Sequence, residues 1–197
     1  MLRNLTVVAI LWNLVFSSPV SGVAYCALRD PVSAIQQFYP DYTSYIAVDG
    51  RVDESVRAVL DQKLPGVHFS EFGIHTLYKI MRDERLIGYV HARTEKGDWG
   101  LDELIWALSP ELRVDNFRYQ RSRSAGREIV ESSDFHEWLD GRDVEALITL
   151  LSSDDAKTLS DRPDFIPAAY EATAVSAIRS AIKTLVITEH VWPSQAL

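Results

Sequence analysis

Two places in this sequence carry residues that can do chemistry. One is Thr173, with Ser176 one turn later, inside PAAYEATAVSAIRSAIKTL (167–185). The other is the arginine-bearing run FRYQRSRSAGR (117–127). A hydroxyl in the first turn of a helix lies beside backbone N–H groups that have no intrahelical partner and that attract anions. By position alone Thr173 also reads as an ordinary helix-start residue. If 117–123 is a strand, Phe117, Tyr119, Arg121 and Arg123 share one face, with Arg118, Gln120 and Ser122 on the other. Two arginines beyond two aromatics can hold a phosphate and flank a planar ring. The same run also reads as a solvated edge whose cations deter strand pairing.

Other familiar constellations are missing. The sequence has no G-x-S-x-G, no H-E-x-x-H, no phosphate-binding P-loop and no G-x-G-x-x-G. The five histidines, His68, His75, His91, His136 and His190, are scattered; His75 and His91 on neighbouring strands are the one metal-ligand pair to consider. Asp102 and Glu103 are adjacent, so on a strand they face opposite ways and cannot work as a glycosidase-like pair. A hydrolase built on a Ser–His pair has no motif behind it.

The elements that must position these residues follow from periodicity. PVSAIQQFYP after Asp30 predicts a short helix closed by Pro40. Asp53 predicts an N-cap for a helix carrying Val56, Val59, Leu60 and Leu64, stopped by Pro65-Gly66. From His75 the pattern becomes four short strands: HTLYKIM, RLIGYVHARTE, GLDELIWAL and RVDNFRYQRSR. Breaks at 82–84, 96–98 and 109–111 make them an antiparallel meander. Ser133 or Asp134 caps a helix with Phe135, Trp138 and Leu139 that ends near Gly141. A further helix runs from Asp143 to Leu151 with Val144, Leu147, Ile148 and Leu151 on one face. The last helix carries Val175, Ile178, Ile182 and Leu185 on a single stripe. The fold class expected is α+β, helices packed on a curved antiparallel sheet.

The totals suit one domain with a short prefix: 197 residues, 47% hydrophobic and 24% charged. Residues 1–22 read as an export signal, with Arg3 as the basic start, an apolar stretch from Leu5 to Phe16, and small Val20 and Gly22 before the cut. Left uncleaved, the prefix would associate the chain with a membrane. Its loss removes one positive charge, moving the formal net charge from −8 to −9. An acidic chain repels phosphate backbones, so nucleic acid is not an expected partner. The single cysteine, Cys26, cannot form an internal disulfide, and Tyr25 before it argues against lipid attachment.

In order, these pieces resemble the FMN-binding domain family, which includes peripheral flavin subunits of Rnf-type electron-transport complexes and of sodium-pumping NADH:quinone reductase. LYKIMRDERLIGYVHARTEKGDWGLDELIWALSPELRVDNFRYQRSRS (77–124) is similar to its sheet, and Phe135 to Asp143 to its Phe-x-x-x-φ-x-Gly-Lys helix and turn. AIQQFYPDYTSY and DESVRAVLDQKL are similar to its helical lead-in. The likeness runs from about Arg29 to Ile187. It implies a signal at 1–22, a helical lead-in over 23–66 and an FMN-binding-like domain over 67–190. The family's Ser-Gly-Ala-Thr matches Tyr170-Glu171-Ala172-Thr173, so the resemblance implies FMN at Thr173, Ala172 and Ser176. Arg121 or Arg123 would meet phosphate, and Trp99 or Tyr119 would lie near the ring. It further implies electron transfer at or near the bacterial membrane, with a membrane redox complex or a periplasmic redox protein as partner, rather than a stand-alone catalyst. Two positions depart from the motif. Glu171 replaces a glycine that allows close backbone approach, and its carboxylate stands where a phosphate dianion would sit. Tyr170 replaces the serine. Both weigh against an ester at Thr173 and motivate an alternative, a flavin-free periplasmic binding or assembly module on the same fold.

Overall fold

The structure is a computed structural model that describes residues 31–67 and 73–192. The expected export signal at 1–22, Cys26, the start of the lead-in and His68 lie outside the described residues. The chain begins with α1 (Val32–Phe38), which is followed by strand β1 (Ser44–Val52) and α2 (Glu54–Lys63). The meander then runs through β2 (Gly73–Arg82), β3 (Arg85–Gly97), β4 (Gly100–Leu108) and β5 (Val114–Arg121). Three short helices follow, α3 (Arg127–Val130), α4 (Ser133–Leu139) and α5 (Val144–Ile148), before the 21-residue α6 (Glu171–Val191). The class is α+β, as the periodicity predicts: a five-stranded antiparallel sheet in the order β1-β2-β3-β4-β5 with helices packed on it.

The four expected strands are present, and a fifth was not anticipated. β1 falls inside the stretch read as a helical lead-in and pairs with β2 over its full length, Ser44 opposite Met81 and Val52 opposite Gly73. Its apolar residues do not alternate cleanly because an edge strand buries little of either face; only Val52 is buried. The tight connections are explicit in the backbone. Asp83 and Glu84 both have positive φ, 48° and 67°, which gives the β2–β3 hairpin a twist matching its strands. Asp98-Trp99 turns the next hairpin between paired Gly97 and Gly100.

Helix starts follow the residue chemistry. Asp53 accepts from the Ser55 and Val56 N–H groups, and Asp143 from that of Ala146, satisfying donors the helices leave open. For α4 the cap is Ser132, one residue before the expected pair, accepting from Phe135 N–H. α5 ends at Ile148; Leu151 instead forms a bridge with Leu159.

Alternation along the strands divides the sheet into two faces. Leu77, Tyr89, Leu104, Trp106, Phe117 and Tyr119 face α6, while Ile80, Val90, Ala92, Ile105 and Ala107 face α1 and form a smaller core with Ala34, Ile35 and Tyr39. α6 carries the expected stripe, Val175, Ile178, Ile182 and Leu185, all buried. It is also buried at Ala174, Ala177, Ala181, Val186 and Ile187, because α2 and α5 cover the side turned away from the sheet. Among the described residues no helix is long and apolar enough to cross a membrane.

Candidate functional site

α6 starts beyond a 3-10 turn at Ala168–Tyr170. Tyr170 takes the N-cap position with no side-chain cap bond, so Thr173 does not cap the helix. The Thr173 side chain is buried, and the backbone of the loop after β5 lies directly on it. A Cβ built on Gly126 would stand 2.7 Å from Thr173 Oγ1, 2.8 Å from its Cβ and 3.0 Å from Tyr170 Cβ. Gly126 has φ −83° and ψ 6°, which any residue adopts; glycine is needed here for closeness, not for conformation. The Glu171 carboxylate turns to the opposite flank, where Oε1 accepts from Leu159 N–H at 2.9 Å. Ala172 is exposed and Ser176 half-buried.

The arginines do not converge on this point. β4 and β5 slip register between Glu103 and Leu104, so Tyr119 opposes Leu104 while Arg121 opposes Glu103. The bulge takes Arg121 off the face it was expected to share with Phe117 and Tyr119. Its Nε lies 3.4 Å from Glu103 Oε1, on the side of the sheet away from α6. The strand stops at Arg121, leaving Arg123 exposed in the following loop. Tyr119 is fixed inside the main core, and Trp99, 76% exposed, stands on the β3–β4 turn.

These residues do not fit a mononucleotide phosphate at Thr173. The hydroxyl is covered by the Gly126 backbone, Glu171 adds a negative charge to the same turn, and Arg121 lies on the other side of the sheet beside Glu103. The nearby Arg127 pairs with Glu131 at 2.7 Å. The flavin implied by the resemblance would need the loop at 122–126 lifted off the helix.

A buried charged layer lies between sheet and α6, and sequence reasoning missed it. Glu95 and Asp102 face each other across β3 and β4 on the α6 side. Glu95 accepts from Lys183 of α6 and lies 3.4 Å from Arg93 Nε, while Asp102 accepts from Ser124 Oγ at 2.7 Å. Ser124 also accepts from Asp98 N–H, and Asp98 accepts from Ala125 N–H, which staples the β3–β4 hairpin tip to the loop after β5. Burial, with Asp102, Glu131 and Glu95 adding, pushes the Tyr119 hydroxyl far above its usual pKa. The legible signal was the run His91, Arg93, Glu95, three polar residues at alternate positions on a strand, separated by Ala92 and Thr94. With both carboxylates buried and bonded, Glu95 ties the sheet to α6 and Asp102 ties β4 to the loop after β5, and the two do not form an acid–base couple facing a cleft.

Asp102 and Glu103 do point to opposite faces. Glu103 is fully buried, and among the described residues neither carboxylate oxygen has a hydrogen bond and Arg121 is its ionic neighbour. His75 and His91 are both buried, not on the surface, and bind each other, Nδ1 to Nε2, at 3.2 Å. Thr188 donates to Thr184 O, so its oxygen accepts from His91 Nδ1–H at 3.1 Å. His91 Nε2 then accepts from His75. Among the described residues no group of three or more His, Cys, Asp or Glu is placed to hold a metal. The chain matches no protein-family model, and comparison with curated proteins gives no significant match.

Proposed function

We propose that this chain is a flavin-free binding or assembly module of the bacterial cell envelope, built on an antiparallel sheet with a long helix laid across it. One observation carries the reading: the start of α6 is closed, with Thr173 packed under the bare backbone of Gly126 and Glu171 bonded to Leu159 N–H. The envelope location rests on the export-signal pattern at residues 1–22. A contact surface is at hand in Trp99, Leu101 and Ile74, exposed apolar residues at the β3–β4 hairpin and on the α1-facing side of the sheet. Trp on a hairpin tip offers a large apolar area with little rotamer freedom to lose, which favours protein contacts.

Two measurements test this. The protein is titrated with FMN while flavin fluorescence is followed, and its mass is taken after co-expression with a flavin transferase. No quenching and an unshifted mass are expected. A gain of FMN mass at Thr173, or saturable quenching, would overturn the reading in favour of an electron-transfer flavoprotein working with a membrane redox complex. A photocrosslinker at Trp99 should trap one defined envelope partner.

A further inference from the structure

The sheet has two edges, and they are finished differently. Along β5 the outward backbone groups are taken up: Val114 N–H bonds Arg142 O at 2.9 Å, Gly141 N–H bonds Val114 O at 2.8 Å, and Tyr119 N–H bonds Glu131 Oε1 at 2.9 Å. Two register shifts also break that edge. β1 has none of these protections. Its nine residues pair with β2 without a bulge and contain no proline or lysine. Among the described residues, no backbone hydrogen bond from another element reaches its outer side. Tyr45 is 38% exposed and Ile46 51% exposed. A bulge-free edge of this length with open outward backbone groups is a template for another strand.

We propose that the β1 edge is a self-association surface, and that its occupant is β1 of a second copy, antiparallel about a two-fold axis at Val48. The sequence SYIAVDGRV is complementary to itself in that register. Ser44 faces the partner's Val52, and Tyr45 faces the partner's Arg51 on the α1 side. Arg51 is exposed and makes no ion pair among the described residues, so it is available to lie over the ring. On the α6 side Ile46 faces the partner's Gly50. Gly50 is bare because Val191 and Trp192 occupy its face; an added Cβ would stand 2.3 Å from Val191 and 2.6 Å from Trp192. Ile46 of one copy therefore meets the apolar side chains of Val191 and Trp192 that cover the partner's Gly50. Asp49 and Arg51 contribute one charge of each sign, so the edge is neutral in a chain whose net charge is −8 and whose copies otherwise repel. The pairing makes one continuous sheet through two copies and stands whether or not α6 takes a flavin.

Sedimentation velocity of the full chain over a concentration series tests the assignment, with Ile46→Glu and Trp99→Ser compared. An edge-to-edge contact buries little area, so a dimer with Kd of about 1–100 μM is expected. Ile46→Glu, at a half-exposed position that leaves the core intact, should weaken it by about tenfold or more. Trp99→Ser should leave it unchanged. Above the Kd, amide exchange along β1 should slow by about tenfold or more, with β5 unaffected. A monomer throughout the series, a dimer indifferent to Ile46→Glu, or one weakened equally by Trp99→Ser would each overturn it.

Discussion

At the residue scale, single atoms decide what the α6 start can do. Gly126 meets Thr173 so closely that Gly126→Ala must push the loop and the helix apart. A loss of about 1–3 kcal/mol is expected in denaturant unfolding, the usual cost of overpacking. Thr173→Ala removes one methyl and a hydroxyl that caps nothing, and should cost about 1 kcal/mol. The reverse ranking would mean that Thr173 has a role the packing does not show. His91 sets a second expectation. Its pKa is held well below the ordinary value, chiefly by burial, with His75 and Arg93 adding to the effect. The unfolded chain takes up a proton at this residue near pH 6.5 and the native chain does not. The stability linked to His91 is therefore full above that pH and falls as acid is added, by about 1.4 kcal/mol per pH unit until the native ring titrates. Chemical unfolding at pH 7.5, 6.5 and 5.5 measures it, and His91→Gln should reduce the slope in this range, leaving the part contributed by His136, whose pKa burial also lowers.

At the element scale, α6 is held to the sheet by apolar packing and by a charged tie. Lys183 and Glu95 are both nearly buried. Removing the cation alone leaves a carboxylate with less compensation in a dry layer, so Lys183→Met should destabilise by about 3–5 kcal/mol. Glu95→Gln added to that variant removes the uncompensated charge and should restore part of the loss, a coupling that a double-mutant cycle reads directly. If the two changes add independently, the tie contributes nothing specific. Trp106 adds a neutral bond of the same kind, donating from Nε1 to Ser180 Oγ at 3.0 Å. Lys183 and Ser180 share one helix with Thr173, so these ties to the sheet also hold the start of α6 against the loop after β5.

At the scale of the whole molecule, stability should be graded across the sheet. β3 and β4 have strands on both sides and cores on both faces, whereas β1 buries only Val52. In native-state hydrogen exchange of the monomer, amides of β3, β4 and the middle of α6 should exchange most slowly and those of β1 fastest. Uniform protection across the five strands would contradict this layering. Local features could be read directly from residue order: four strands from alternation, helix starts from Asp53 and Asp143, the α6 stripe, and the opposed facing of Asp102 and Glu103. Those features depend on neighbours within a few residues, and periodicity records them. The remainder depended on which distant segments came together. β1 joined the sheet because pairing with β2 supplies bonds that a weakly alternating segment does not advertise. A one-residue bulge between β4 and β5 sent Arg121 to Glu103. Glu95 met Lys183 across 88 positions of chain. Register and helix docking set these contacts, and they join residues too far apart in sequence for any local pattern to encode.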